Sequence, residues 1–175
     1  MDPEDTDMPF SHDEAKLIAG YTLANYERER NTTKSVIASI PAGQEEYKPH
    51  GNCMCALRLA FHIVASERFF LDGVINGKFA SGGEMPNTIK TSADVLDWYD
   101  ANVPPAIDAV KALPGETISQ NIDFFGMMNA QAIAYLTLMV NHSVHHRGQL
   151  SAYLRPMGAK VPGIYGPSGD TEVKK

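Results

Sequence analysis

His142, His145 and His146 place three of the chain's six histidines within the run Asn141-His142-Ser143-Val144-His145-His146-Arg147-Gly148-Gln149. Imidazoles grouped in this way offer metal ligation, or hydrogen bonding inside a core. On a helix turning about 100° per residue, His146 lies roughly 40° to one side of His142 and His145 roughly 60° to the other, so all three share a face. Side chains four residues apart have Cβ atoms about 6 Å apart, near enough for two ring nitrogens to reach one divalent ion at roughly 2.1 Å. A metal site is the first expectation. The spacing alone does not separate it from three core histidines bonded to carbonyls or hydroxyls.

The elements that carry these residues follow from the apolar pattern. Ala132 to Val140 is apolar and free of Gly and Pro, which predicts the inner part of a long helix ending near Gly158. Two histidines on one helix need a third ligand from elsewhere. A second predicted helix starts near Asn52 and ends before Gly77, with the inward stripe Leu59, His62, Ile63, Ser66, Phe69 and Phe70. His62 thus falls among hydrophobes, away from the charged side carrying Glu67 and Arg68. It is the candidate third ligand, although taken alone it reads as a hydrogen-bonded core histidine.

Two more helices complete the pattern. The first opens at the capping box Ser11-His12-Asp13-Glu14 and runs to Ile40, before Pro41, with Leu17, Tyr21, Ala24, Val36 and Ile40 as its apolar stripe and His12 solvated. Asn31-Thr32-Thr33 interrupt that stripe. A Gly-rich connection from Gly77 to Lys90 is long enough to cross the end of a bundle. The third helix follows from about Ser92, kinked or split at Val103-Pro104-Pro105 and closed by Pro114-Gly115. Thr117 to Gly126 then lead into the histidine-bearing fourth helix. The sequence predicts one domain over residues 1–175, with a short N-terminal arm (about 1–10) and an irregular tail (about 159–175) that either covers a bundle mouth or lacks structure.

Composition excludes several classes of function. A net charge of −6 without any Lys/Arg run argues against nucleic acid as a partner. No apolar run approaches the roughly 20 residues that span a bilayer, so no membrane association is expected. The acidic start Met1-Asp2-Pro3-Glu4-Asp5 predicts a cytoplasmic protein. Cys53 and Cys55 read as reduced helix residues, because no second pair completes a four-thiolate site. No P-loop, Rossmann fingerprint, Gly-x-Ser-x-Gly elbow or Cys-x-x-Cys pair competes with the histidines.

The run His142-Ser143-Val144-His145-His146-Arg147-Gly148-Gln149, continued through Leu150 and Tyr153-Leu154-Arg155, resembles the DinB-like metal-dependent superfamily. The isolated inward His62, the long second-to-third connection and the short Pro/Gly-containing tail extend the resemblance over nearly the whole chain. It implies an all-α four-helix bundle, up-up-down-down with a long second-to-third crossover, commonly a homodimer. It also implies a divalent metal held by His62, His142 and His146. Characterised relatives use a low-molecular-weight thiol, so it implies thiol transfer, or a related hydrolase or isomerase reaction, on a small-molecule substrate.

Three neutral imidazoles leave a divalent ion with an open position, as catalytic sites do, and zinc or nickel suits such ligands. Ser143 stands where a His-Glu-x-x-His protease carries its glutamate, which disfavours peptide hydrolysis. Glu67 is about 140° around its helix from His62, so no carboxylate is placed beside the site. His145 is left beside the motif as an outer hydrogen-bond donor or a core residue. Gln149 falls about 20° from His142 and lines the same face, in a polar-core or a functional role. Arg147 points some 140° away, towards a neighbouring helix or a dimer partner. Arg58, one turn before His62, either orients an anionic substrate or sits as a surface ion pair. The alternative to an enzyme is a non-catalytic binding or stress-response protein that the metal merely stabilises.

Overall fold

The structure, a computed structural model, describes residues 9–171. The expected N-terminal arm and the end of the expected tail therefore lie largely or partly outside the described residues. Along the chain run α1 (His12–Ala38), α2 (Ala56–Asn76), α3 (Ser92–Ala112), the short α4 (Gly115–Ile118), β1 (Asn121–Phe124), β2 (Met128–Gln131) and α5 (Ala132–Leu154). The four long helices each pack on two others: α2 lies against α5 and α3, and α1 lies against α5 and α3. Among the described residues no helix is long and apolar enough to cross a membrane.

The expectation of an all-α chain needs one correction. Residues expected to lead straight into the last helix form an antiparallel hairpin, with Asn121 opposite Gln131 and Phe124 opposite Met128. Its turn places Phe125 at φ 55° and Gly126 at φ 71°, the doubly left-handed geometry that matches strand twist. Asn-Gly or Asp-Gly usually announces such a turn, and Phe-Gly does not. The hairpin is held locally, because the Asp123 carboxylate accepts from the Gly126 amide at 3.0 Å and the Tyr135 hydroxyl of α5 lies 2.6 Å from the Ile122 carbonyl.

α1 begins at the expected capping box: the Ser11 side chain accepts from the Glu14 amide, and the Glu14 carboxylate accepts from the Ser11 amide at 2.9 Å. Its inner face, however, is Ala15, Ala19, Leu23, Tyr26, Thr33, Val36 and Ile37. Leu17 and Tyr21 are 75% and 71% exposed, and Ala24 is exposed too, which overturns the N-terminal half of the expected stripe. The small residues win because α4 presses on this end of α1. A Cβ on Gly115 would stand 2.4 Å from the His12 carbonyl oxygen, so the contact is backbone to backbone.

α2 starts four residues later than expected, with Cys55 at its N-cap and no side-chain cap. The orphan N–H groups of its first turn are taken instead by the preceding loop: Ala56 donates to the Tyr47 carbonyl at 2.8 Å and Leu57 to that of Glu45 at 2.9 Å. The helix ends at Gly77, left-handed at φ 64°, as expected. α3 runs continuously through Pro104 and Pro105. Asp100 and Ala101, whose carbonyls the prolines leave without helical partners, are on its exposed side, open to solvent.

α5 contributes Leu136, Met139, Leu150 and Leu154 to a core that also holds Leu59, Ile63 and Leu71 of α2. Each such side chain stabilises the fold by about 1.5–3 kcal/mol relative to exposure. Arg147 is buried among them, 1% exposed, and faces α1 as expected from its angle. It pairs with the Glu29 carboxylate at 2.6 Å and donates to the Tyr165 hydroxyl, also at 2.6 Å. That hydroxyl donates in turn to Glu29 at 2.9 Å, so the described part of the tail is strapped across α1 and α5.

Candidate metal centre

His62 reaches the centre from α2, and His142 and His146 reach it from successive turns of α5. The three rings offer ligand atoms that all lie within 4.8 Å of one another. Nε2 of His62 and Nε2 of His146 are 3.3 Å apart. Two nitrogens bound at about 2.1 Å with a tetrahedral angle between them stand about 3.4 Å apart, so this separation fits one shared ion. The His142 ring lies 5.0 Å from that of His62 and 4.4 Å from that of His146, centroid to centroid, and its Nδ1 is buried without a hydrogen-bond partner among the described residues. A buried imidazole nitrogen left unpaired costs stability unless something binds there. The residues therefore fit a divalent ion.

Electrostatics favour the ligating form. Burial first, then the neighbouring His146, His62 and His145, push the His142 imidazole down to about 4. Burial and His146 lower that of His62. Both rings are thus neutral at neutral pH, with lone pairs free for a metal.

An outer set of contacts orients the rings. Gln149 Oε1 lies 3.0 Å from His146 Nδ1 and accepts its proton, which assigns the lone pair to Nε2, the atom facing His62. Gln149 thus has a positioning role that its angle on the helix only allowed. Ser66 Oγ stands 3.5 Å from His62 Nδ1. His145 is exposed, with its ring edge-on to His146 at 4.8 Å, so its reading as a core residue is set aside.

Glu67 is the residue that the sequence misplaced. Instead of lying on a charged surface it is 1% exposed, and its carboxylate accepts from the hydroxyls of Tyr26 and Ser143. Burial pushes that carboxyl up, against the opposing pull of these hydrogen bonds. Hydroxyls from α1 and α5 thereby meet on an α2 side chain one turn from the ligands. Its only sequence signal was Ser143 beside His142. Arg58 is exposed and lines a cleft with Glu46, Lys48 and Cys53 that none of the three rings borders. Cys53 and Cys55 are free thiols that lie before α2 and not on it.

Beside His62 a half-open cavity of about 470 Å³ runs between α2, the crossover after Gly77 and Trp98 of α3. His62, alone of the three rings, therefore borders a space large enough for a small molecule.

Known proteins share this architecture. The chain is 26% identical over 154 residues to the uncharacterised protein YrdA of Bacillus subtilis, covering 87% of this chain and 90% of that one. The crystal structure of a DinB-like protein of Bacillus subtilis, YjoA, superposes with a TM-score of 0.69 at 26% identity, over 85% of this chain and 99% of that one. A DinB-like protein from Bacillus cereus superposes at 0.70 with 23% identity, over 82% and 95% of the two chains. The sequence profile of the DinB family matches residues 13–172, a span that includes all three histidines, and the chain belongs to that family.

Proposed function

We propose that this protein is a metal-dependent enzyme that binds one divalent ion, zinc or nickel, through His62, His142 and His146 and acts on a small molecule, with thiol transfer as the leading reaction. The supporting observation is the convergence of three imidazoles, one of which, His62, borders an open cavity, with no cysteine or carboxylate grouped with them among the described residues. An ion held so would keep a free coordination position and supply Lewis acidity to a water, thiol or carbonyl there.

In the transfer reaction the thiol gives its proton to solvent base. A sulfur–carbon bond forms as the carbon–leaving-group bond breaks, and the leaving group takes the electron pair. The chain's own residues supply placement. Gln149 holds His146 in one tautomer, and the Glu67–Ser143 bond ties α2 to α5 beside the ligands. Because that bond and the shared core already join the two helices, a metal serving only as a staple is less well supported. The same reading takes the protein as a homodimer, for which the exposed apolar residues of α1 offer one face.

Metal content of tag-free protein tests the reading. Wild type is expected to carry about one ion per chain, His146→Ala little, and His12→Ala as much as wild type. Equal content in wild type and His146→Ala would remove the assignment. A cobalt-substituted protein whose four-coordinate spectrum ignores thiols, anions and pH would replace the enzyme by a closed structural site.

A further inference from the structure

We infer that the cavity beside His62 selects a small molecule with an aromatic body and no net charge, presenting its donor end to the metal centre. The inference rests on the proposed function only for that donor end. Phe61, Ala65 and Phe69 of α2 form one wall with His62, at the spacing that puts successive helix turns on one face. Trp98 of α3 adjoins that wall, its ring edge-on to that of Phe61 at 5.2 Å. The crossover closes the third side and is fixed there by a ring in a notch. A Cβ on Gly73 would lie 2.2 Å from the Phe79 ring, so only glycine lets Phe79 seat against α2. The aromatic and apolar residues Phe61, Ala65, Phe69 and Trp98, beside a polar side formed by Ser66, Arg68, Asp72 and Asn76, suit a ligand with a planar apolar body.

The charges of the cavity point to a neutral one. Arg68 is committed, to Asp72 at 2.8 Å and to the Asn102 carbonyl at 2.7 Å. Lys78 and Glu84 stand at the exposed rim with opposite signs. No buried cation waits for a carboxylate or phosphate, which would have to be desolvated without a partner. Of the three metal-centre rings only His62 borders the cavity, so the ligand's donor end has a defined direction.

Trp98 is the only tryptophan in the chain, so its fluorescence reports on this cavity alone. The cobalt-loaded full chain would be titrated with benzyl mercaptan, 2-mercaptoethanol and thiomalate, with the cobalt spectrum and Trp98 emission read together. Benzyl mercaptan is expected to bind at least about tenfold more tightly than 2-mercaptoethanol, from burial of its ring, and to change Trp98 emission saturably. Thiomalate is expected to bind no better than 2-mercaptoethanol. Ala65→Phe, which fills the cavity, is expected to abolish the benzyl preference at unchanged metal content. Equal affinities for benzyl mercaptan and 2-mercaptoethanol, or tightest binding of thiomalate, would overturn the inference. A cobalt spectrum silent to every thiol defeats the proposed function instead. Benzyl mercaptan added to metal-free protein then decides the cavity: saturable Trp98 quenching supports it, and unchanged emission overturns it.

Discussion

The His146 Nδ1–H donates a hydrogen bond to Gln149 Oε1 at 3.0 Å while its Nε2 stands 3.3 Å from the same atom of His62. One helix turn thus fixes which nitrogen faces the metal centre. Gln149→Leu removes the acceptor without adding bulk and is expected to lower metal affinity about 10- to 100-fold, read by competition with a chromogenic chelator. Gln149→Glu keeps an acceptor and should hold affinity near wild type. Unchanged affinity in Gln149→Leu would show that packing alone orients His146.

Glu67 carries a different expectation, one of stability. Glu67→Ala takes the shared acceptor from the buried hydroxyls of Tyr26 and Ser143, leaving Tyr26 only its 3.0 Å contact with the Tyr99 hydroxyl, and is expected to cost about 3 kcal/mol in urea denaturation. Glu67→Gln keeps an acceptor and should cost less. Similar losses for the two variants would mean that the carboxylate with both its oxygens, and neither volume nor a single acceptor, decides this position.

How much of this was legible in the sequence depended on whether a residue's neighbours along the chain or across space decide its place. The capping box at Ser11, the end of α2 at Gly77 and the face shared by His142 and His146 are local, and each was readable from spacing. Glu67 was not, because helix angle relative to His62 says nothing about hydroxyls that α1 and α5 bring to it. Leu17 and Tyr21 fit an apolar stripe as well as Ala15 and Ala19 do, and the backbone contact of Gly115 with α1 chose between them. The hairpin before α5 has no signature in the sequence because Phe125 adopts a left-handed turn that its residue type does not advertise.

Leu17, Tyr21 and Ala24 lie one turn apart on the outer face of α1, and all are exposed. A two-fold homodimer that buried this stripe would give them the cover expected of apolar residues at helical spacing. Light scattering is expected to report about twice the 19.1 kDa chain mass for wild type and the chain mass itself for the Leu17→Glu/Tyr21→Glu double variant. A monomeric wild type across a wide concentration range would remove the dimer. A dimeric double variant would move it to another face.

The histidines also set a pH window for the metal-free protein. In the unfolded chain His142 titrates at its ordinary 6.5, whereas in the folded protein burial and its histidine neighbours push it down to about 4. Between those values the unfolded state binds more protons, so this group's contribution to stability is whole above about pH 7 and lost as pH falls through 6.5 towards 4. His62, shifted in the same direction, adds to the slope, while the raised carboxyl of Glu67 opposes it. Subtracting the profile of His142→Gln isolates the His142 contribution. The difference in denaturation midpoint between wild type and His142→Gln should be flat from pH 8 to 7 and should shift against wild type below 6.5. Added zinc should steepen the wild-type profile alone, since protons then also compete with the ion for the rings. A difference that stays constant down to pH 4 would show that the His142 ring reaches water in the folded protein, and the desolvated centre inferred from its burial would have to be given up.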